Sequence, residues 1–290
     1  MNPTRTIRYY GWSALSIETP DGALFFDPFF RHYCGAQWFD LADFAHADYV
    51  CVTHGHEEHF LDVPVIGKHT KAKLIGPGSV TRFLRRRHSL PEDRLLTVDP
   101  PNSLDLPGFR LSTFRWQHRD INLMKALSKA VFKRNATQLA WAWSSATNAP
   151  FLCPYTGYHV ELPDGRTILN YNEGFNTKMS SEEIVALGRR FRTDILLAGM
   201  QLDFVDDVAR GAAALAPEVV LLYPPHDKFH EMMGAVSRPW TEFASKVQDS
   251  LPSAKVIIAE PGTVIDIDTG ESAPDVVPKA KRRGAEPALA

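Results

Sequence analysis

Thr53-His54-Gly55-His56-Glu57-Glu58-His59 packs three imidazoles and two carboxylates into six consecutive positions, 54 to 59. Just upstream, Asp48-Tyr49-Val50-Cys51-Val52 reads as a buried strand, apolar except at its mouth. A strand that ends in such a cluster delivers it to the edge of a sheet, where side chains can point into a cleft. His54 and His56 alternate by two, so in extended backbone they share a side. Glu58 and His59 fall in the turn that follows and can face a second point nearby. One metal ion would draw on the first pair and a second ion on the latter. A surface turn rich in His by chance is the plainer alternative, but polar surface loops seldom concentrate ligands this way.

The remaining composition sets limits on this reading. Of 290 residues, 44% are hydrophobic and 23% charged, ordinary values for a soluble globular chain. The formal net charge of −2 gives no basic field that would favour nucleic acid. Cys34, Cys51 and Cys153 form no C-x-x-C pair, so a disulfide framework is not expected and a reducing, cytoplasmic setting fits. The first residues run straight into strand-like sequence without an apolar segment, so no signal peptide is expected. No run is long and apolar enough for a membrane span. Oligomeric state leaves no mark in the sequence.

Strands are expected at Thr6 to Tyr10, Ala14 to Glu18 and Ala23 to Phe26, with Asp21-Gly22 as a hairpin turn and Asp27-Pro28 at the end. Arg31 to Phe44 is an aromatic-rich loop, suited equally to walling a cleft or to packing on a sheet edge. A short helix or loop is expected over Asp62 to Thr70, a strand at Lys73 to Gly76, and a helix capped by Ser79 that runs to Arg87. Further strands are expected at Arg94 to Val98 and Phe109 to Trp116, the second delivering Gln117-His118. Within Ile121 to Arg134, Leu123, Met124, Leu127 and Val131 share a helical face, while Lys125, Lys129 and Lys133 form a basic stripe. Two readings stay open there: a surface helix over the core, or a lid whose lysines attract an anionic substrate or membrane surface. Leu139 to Trp143 alternates like a strand. Tyr155 to Leu162 and Arg166 to Tyr171 form a hairpin that ends at Asn172-Glu173-Gly174. Ser180 to Glu183 is a capping box that opens a helix to Arg192. Asp194 to Met200 and Glu218 to Tyr223 read as strands around a helix over Asp206 to Leu215. A helix over Pro239 to Ser250 follows, and Lys255 to Ala259 with Thr263 to Ile267 reads as a closing hairpin around Pro261-Gly262. From residue 271 the chain reads as a disordered tail.

The cluster resembles the Thr-His-x-His-x-Asp-His string of the metallo-β-lactamase superfamily, with His54, His56 and His59 in place and Glu58 where that family has Asp. The resemblance covers about residues 5 to 268. It implies an α+β fold, the four-layer αββα sandwich of two packed sheets with helices outside. The fold would form one domain over 1–270, with a lid-like insertion at about 119–156. It further implies that His118, at the mouth of its strand, completes a first metal site with His54 and His56. Glu58, His59 and His226 would hold a second ion. Glu173, standing where the family has a bridging Asp, would reach both, and Asp27 would support the ligands from behind. Lys228 and His230 lie close by in sequence and suit an anionic group of the substrate; as surface residues they need no such role.

Two divalent ions on nitrogen and oxygen donors without thiolate suit zinc first, with manganese and iron also accommodated. Such a pair shares a water, lowers its pKa from 15.7 to about 7 and supplies hydroxide at neutral pH. No G-x-S-x-G elbow competes. The expected reaction class is therefore hydrolysis, and the resemblance implies a small, anionic ester, lactone or phosphodiester as substrate, with which the nearby lysines agree without requiring it. Tyr10-Gly11-Trp12-Ser13-Ala14 followed by Asp27-Pro28 looks most like the branch that contains ascorbate-phosphate lactonase and the phosphodiesterase acting on N-acyl-phosphatidylethanolamine. Two other readings stay open: a di-iron oxidoreductase that activates oxygen on the same fold, and a non-catalytic metal-binding protein. The two Glu-for-Asp replacements bear on this choice: each adds a methylene, so the carboxylate must fold back or the ions must shift, and the pair of changes is open to compensating one another, selecting a different metal or weakening the second site.

Overall fold

Most strands of this chain bury both faces, and the alternation along each one sorts its side chains between two layers. Leu24 and Phe26 belong to one apolar cluster, and Ala23 and Phe25 to another. Ile195 and Leu197 alternate in the same way with Leu196 and Ala198. A sheet that is apolar on both faces must be covered on both. In a computed structural model, which describes residues 5–119, 139, 143–144, 147–150 and 152–274, this is achieved by two sheets packed face to face with helices outside.

The first sheet has eight strands, in the order β15 (Ser272–Pro274), β14 (Thr263–Asp266), β1 (Thr6–Gly11), β2 (Ala14–Thr19), β3 (Gly22–Phe26), β4 (Tyr49–Cys51), β5 (Lys73–Gly76) and β6 (Leu95–Thr97), and the second has seven, β13 (Lys255–Ile258), β12 (Val219–Tyr223), β11 (Ile195–Gly199), β10 (Thr167–Asn172), β9 (Thr156–Glu161), β8 (Phe109–Arg115) and β7 (Ser103–Leu106). The strands that position the site are β3 (Gly22–Phe26), β4 (Tyr49–Cys51), β8 (Phe109–Arg115), β10 (Thr167–Asn172) and β12 (Val219–Tyr223). The central layer joins Ile7, Leu15, Ile17 and Phe26 of the first sheet to Leu111, Val160, Ile195 and Leu221 of the second. Outside the first sheet, α2 (Val63–His69) and α3 (Gly78–His88) contribute Val63, Ile66, Val80 and Leu84 to the layer over Phe25, Val50 and Leu74. Outside the second, α4 (Ser181–Arg190), α5 (Val205–Leu215) and α7 (Trp240–Ser250) cover Leu169, Leu196 and Val220.

The expected αββα sandwich is the observed fold, with local corrections. Lys255–Ile258 and Thr263–Asp266 are strands but not a hairpin: β13 (Lys255–Ile258) pairs parallel with β12, whereas β14 (Thr263–Asp266) pairs antiparallel with β1 (Thr6–Gly11). The intervening turn carries the chain from one sheet to the other, and Gly262 N donates to Tyr9 O at 2.7 Å. Ser79 does not cap α3. Pro77 occupies that position with no side-chain cap, and Asp99 accepts from Gly78 N at 2.9 Å in its place. A short strand at Ser103–Leu106 (β7), half exposed, escaped the sequence reading. At the far end Ser272–Pro274 (β15) pairs with β14, inside the stretch read as a tail. Leu139, Trp143 and Ser144 have helical rather than extended backbone, so alternation there does not report a strand. The helical face of Leu123, Met124, Leu127 and Val131, the lysine stripe at 125, 129 and 133, Trp141 and the lid they suggested lie outside the described residues. The aromatic loop packs on the first sheet: Phe39 and Phe44 are buried, and Trp38 sits 5.6 Å from the Trp12 ring. None of the three cysteines forms a disulfide.

Candidate metal centre

β3 and β4 run parallel, as do β10 and β12 with β11 (Ile195–Gly199) between them. Within each sheet their C-terminal ends therefore share an edge, and the loops that leave the two edges meet at one end of the sandwich. Three hydrogen bonds tie the two sheets together near it: Tyr158 Oη to Val52 O at 2.8 Å, Thr156 N to Thr53 O at 2.9 Å and Tyr9 Oη to Pro224 O at 3.2 Å. Loops leaving these ends bring together residues from 54 to 226.

Two groups of donors result. His54, His56 and His118 form one, and Glu58, His59, Glu173 and His226 the other; within each, one donor atom per residue lies within 4.8 Å of all the rest. All seven are buried. In the first group His54 Nε2 lies 3.0 Å from His56 Nδ1. The His118 ring lies against Tyr155, with centroids 4.9 Å apart and planes inclined by 31°. Its Nδ1 donates to Arg119 O at 2.8 Å, which turns Nε2 inward to 3.3 Å from Glu173 Oε2. In the second group Glu173 Oε1 meets His59 Nε2 at 2.8 Å and also His226 Nε2, while Glu58 Oε1 lies 3.5 Å from His226 Nδ1. Glu173 thus stands between the groups, one oxygen toward each.

Asp27 is fully buried behind the second group. Its Oδ1 accepts from Thr53 N at 2.8 Å; its Oδ2 accepts from Thr53 Oγ1, from Asn172 Nδ2 at 3.0 Å and from His59 Nδ1 at 2.7 Å. A carboxylate on the far nitrogen sets the tautomer and aim of an imidazole. Asp27 and Asn172 both adopt left-handed backbone, φ 42° and 51°; Asp and Asn tolerate this region better than other side chains with a Cβ. Gly55 has its own reason to be glycine: a Cβ there would fall 2.1 Å from Pro150 O.

Electrostatics divides the imidazoles by role. Burial and the neighbouring rings hold His54 and His56 well below the ordinary imidazole pKa, so both stay neutral with lone pairs to offer. Burial also works against a charge on His59, but Asp27 and Glu173 outweigh it and raise that group to about 10. Burial opposes ionisation of Glu173 as well, yet His226, His118 and His59 together keep it a carboxylate. The residues fit a metal pair by donor type, and Glu58 adds a specific sign. Its Oε2 is buried with no hydrogen-bond donor among the described residues, a costly state unless a cation satisfies it.

Of the two substrate-facing candidates, His230 is buried beside His226, with ring centroids 5.8 Å apart. Lys228 instead donates to Glu231 at 3.0 Å on the exposed side of α6 (Asp227–Met233). Four neighbours were missed in the sequence. Asn172 and Thr53 hold Asp27; Asn176 Nδ2 donates to Gln117 O at 2.8 Å, tying the Glu173 loop to the His118 loop; Arg119 Nε donates to Gln201 Oε1 at 3.0 Å. Their nearness to the ligands in sequence was the available signal.

The sheet order and this edge cluster define a metallo-β-lactamase fold. A family model described as "Beta-lactamase superfamily domain" matches residues 6–221, and the chain belongs to that family. A UPF0173 metal-dependent hydrolase of Flavobacterium johnsoniae is 32% identical over 81 residues, which is 28% of this chain and 36% of that protein. The match thus spans about a third of that curated relative's length. Among solved structures, Igni18, described as a novel metallo hydrolase from the archaeon Ignicoccus hospitalis, superposes with TM-score 0.63 at 18% identity, covering 93% of this chain and 97% of that one. CmlA, described as a diiron β-hydroxylase from Streptomyces venezuelae, gives TM-score 0.57 at 13% identity over 90% of this chain and 54% of its own. At such identities the structural likeness establishes the fold alone.

Proposed function

We propose that this protein is a dinuclear metal-dependent hydrolase acting on a small ester, lactone or phosphodiester that carries an anionic group. The observation that carries the reading is Glu173 between the two donor groups, with Oε1 on His59 and His226 and Oε2 toward His118. His54, His56 and His118 would hold one divalent ion, and Glu58, His59 and His226 the other, with Glu173 reaching both. Ions held there would lower the pKa of water and so make hydrolytic chemistry available at neutral pH.

The chain's own contribution is arrangement. Asp27 holds His59 by Nδ1 and leaves Nε2 facing the cluster; Arg119 O does the same for His118. Asn176 fixes the loop behind Glu173, and Trp116 and Tyr155 lie against the His118 ring. Zinc suits this donor set best, and the two glutamates of the second group also accommodate manganese or iron. The substrate class draws on the resemblance of the Tyr10-to-Ala14 and Asp27-Pro28 pattern to the lactonase and phosphodiesterase branch.

Metal content and stoichiometry, measured on protein purified without added metal, test the reading together with hydrolysis of generic phosphodiesters and lactones. About two ions per chain and turnover that chelation abolishes are expected. The two glutamates also favour a second reading, a di-iron enzyme that activates oxygen, as the shared fold with CmlA permits. Coloured, iron-loaded, oxygen-sensitive protein would select it. Bound metal without turnover of any such substrate would leave a non-catalytic metal-binding protein.

A further inference from the structure

Arg119 follows His118 directly, and its guanidinium is braced from two sides. Nε donates to Gln201 Oε1 at 3.0 Å, and Nη2 lies 3.4 Å from His230 Nε2. Both braces are buried, Gln201 at 2% and His230 at 3% exposure. His230 is itself held through Nδ1 by Ser237 Oγ at 3.1 Å, and its ring is 5.8 Å from that of His226. The cation is thus one residue from a member of the first donor group and one imidazole from a member of the second.

Its charge is not used up. Among the described residues no carboxylate pairs with Arg119, whereas Arg5 meets Asp164 and Asp268, and Arg31 meets Asp62 at 2.6 Å. Lys228, another cation near this edge, is paired with Glu231. A guanidinium has five N–H donors, and among the described residues two contacts engage Arg119, which leaves about three. A planar fork held at one edge by a neutral amide and a neutral ring presents its free edge in the geometry that suits a carboxylate or phosphate. A residue that only tied down the His118 loop would have no need of a half-buried charge that no carboxylate among the described residues compensates.

We propose that Arg119, braced by Gln201 and His230, receives the anionic oxygens of the substrate, a carboxylate or a phosphoryl group, and so determines which esters the site accepts. The inference rests on the hydrolase reading for its substrate but not for its binding test. Calorimetric titration of inorganic phosphate and of acetate into chelator-treated protein separates the two anion types. It is run on the wild type, Arg119→Gln and Arg119→Lys, with metal content measured on the untreated proteins. Arg119→Gln should keep its metal and weaken phosphate or acetate at least about tenfold, and Arg119→Lys should recover part of the loss. With the metal-loaded proteins, KM for bis(p-nitrophenyl) phosphate, an anionic diester, should rise about tenfold in Arg119→Gln, while KM for neutral p-nitrophenyl acetate stays within about twofold. Equal anion affinity in wild type and Arg119→Gln would overturn the assignment. So would an equal rise in both KM values, or loss of metal and fold in both variants, which would make the residue structural. Failure of the wild type to cleave either ester would count against the hydrolase reading instead, and the phosphate and acetate titrations would still decide the role of Arg119.

Discussion

Replacing Asp27 by Asn tests whether the carboxylate behind His59 organises the second donor group. The change keeps the size of the side chain and removes its charge and one acceptor. Four donors converge on Asp27: Thr53 N on Oδ1, and Thr53 Oγ1, Asn172 Nδ2 and His59 Nδ1 on Oδ2. An amide cannot accept on both sides. Turned with its oxygen toward His59, it sets its NH2 against Thr53 N; turned the other way, it sets the NH2 against three donors. The first arrangement is cheaper and leaves one buried donor facing another, at about 1–3 kcal/mol. His59 also loses the charge that holds its proton on Nδ1 and aims Nε2 at Glu173. Loss of such a supporting partner costs about 10–100-fold in metal affinity. Denaturant unfolding of metal-free protein should show the stability loss, and competition with a chromophoric chelator should show the affinity loss. The first donor group, which Asp27 does not touch, should keep its ion. An Asp27→Asn protein that binds two ions with wild-type affinity would refute the argument that this carboxylate aims His59.

His118→Ala removes one of the three imidazoles of the first group and should lose that ion and the hydrolysis with it; atomic emission analysis beside an ester assay reads both, and retained turnover would refute the ligand assignment. Gly55→Ala forces a methyl to within 2.1 Å of Pro150 O, a backbone atom that cannot swing aside, so overpacking should cost about 1–3 kcal/mol in a denaturant melt; an unchanged midpoint would mean that the segment at 150 is not held against the cluster. Burial pushes Glu18 up, but His46, Ser16 and Arg8 outweigh it and bring it down to about 2. A folded pKa below the unfolded value gives stability that is full above about pH 4.3 and lost as pH falls toward 2. Since His46 is half exposed, screening leaves about 1 kcal/mol. Glu18→Gln should therefore flatten the loss of stability across that acid range, and identical acid limbs would exclude the contribution.

By itself the sequence determined the short apolar strand runs, the Asp21-Gly22 turn and the Ser180 capping box, because each is written in residues a few positions apart. The string from His54 to His59 was legible for the same reason: its ligands follow one another along a few residues of chain. His118, Glu173 and His226 were legible only as counterparts of a familiar pattern, since each is a lone polar residue at the end of a strand. Only the tertiary structure decided that the edges carrying them coincide and that Glu173 faces both groups. Parallel pairing puts the C-terminal ends of β3 and β4 on one side of their sheet and those of β10, β11 and β12 on one side of theirs, and no local propensity encodes that. Partner choice between distant strands also explains the last pair: Lys255–Ile258 and Thr263–Asp266 look like a hairpin from their turn, yet the open edges of two different sheets claim them. The brace on Arg119 lay out of reach of sequence for the same reason, because Gln201 and His230 are 82 and 111 residues away along the chain and meet it only once the sheets have packed.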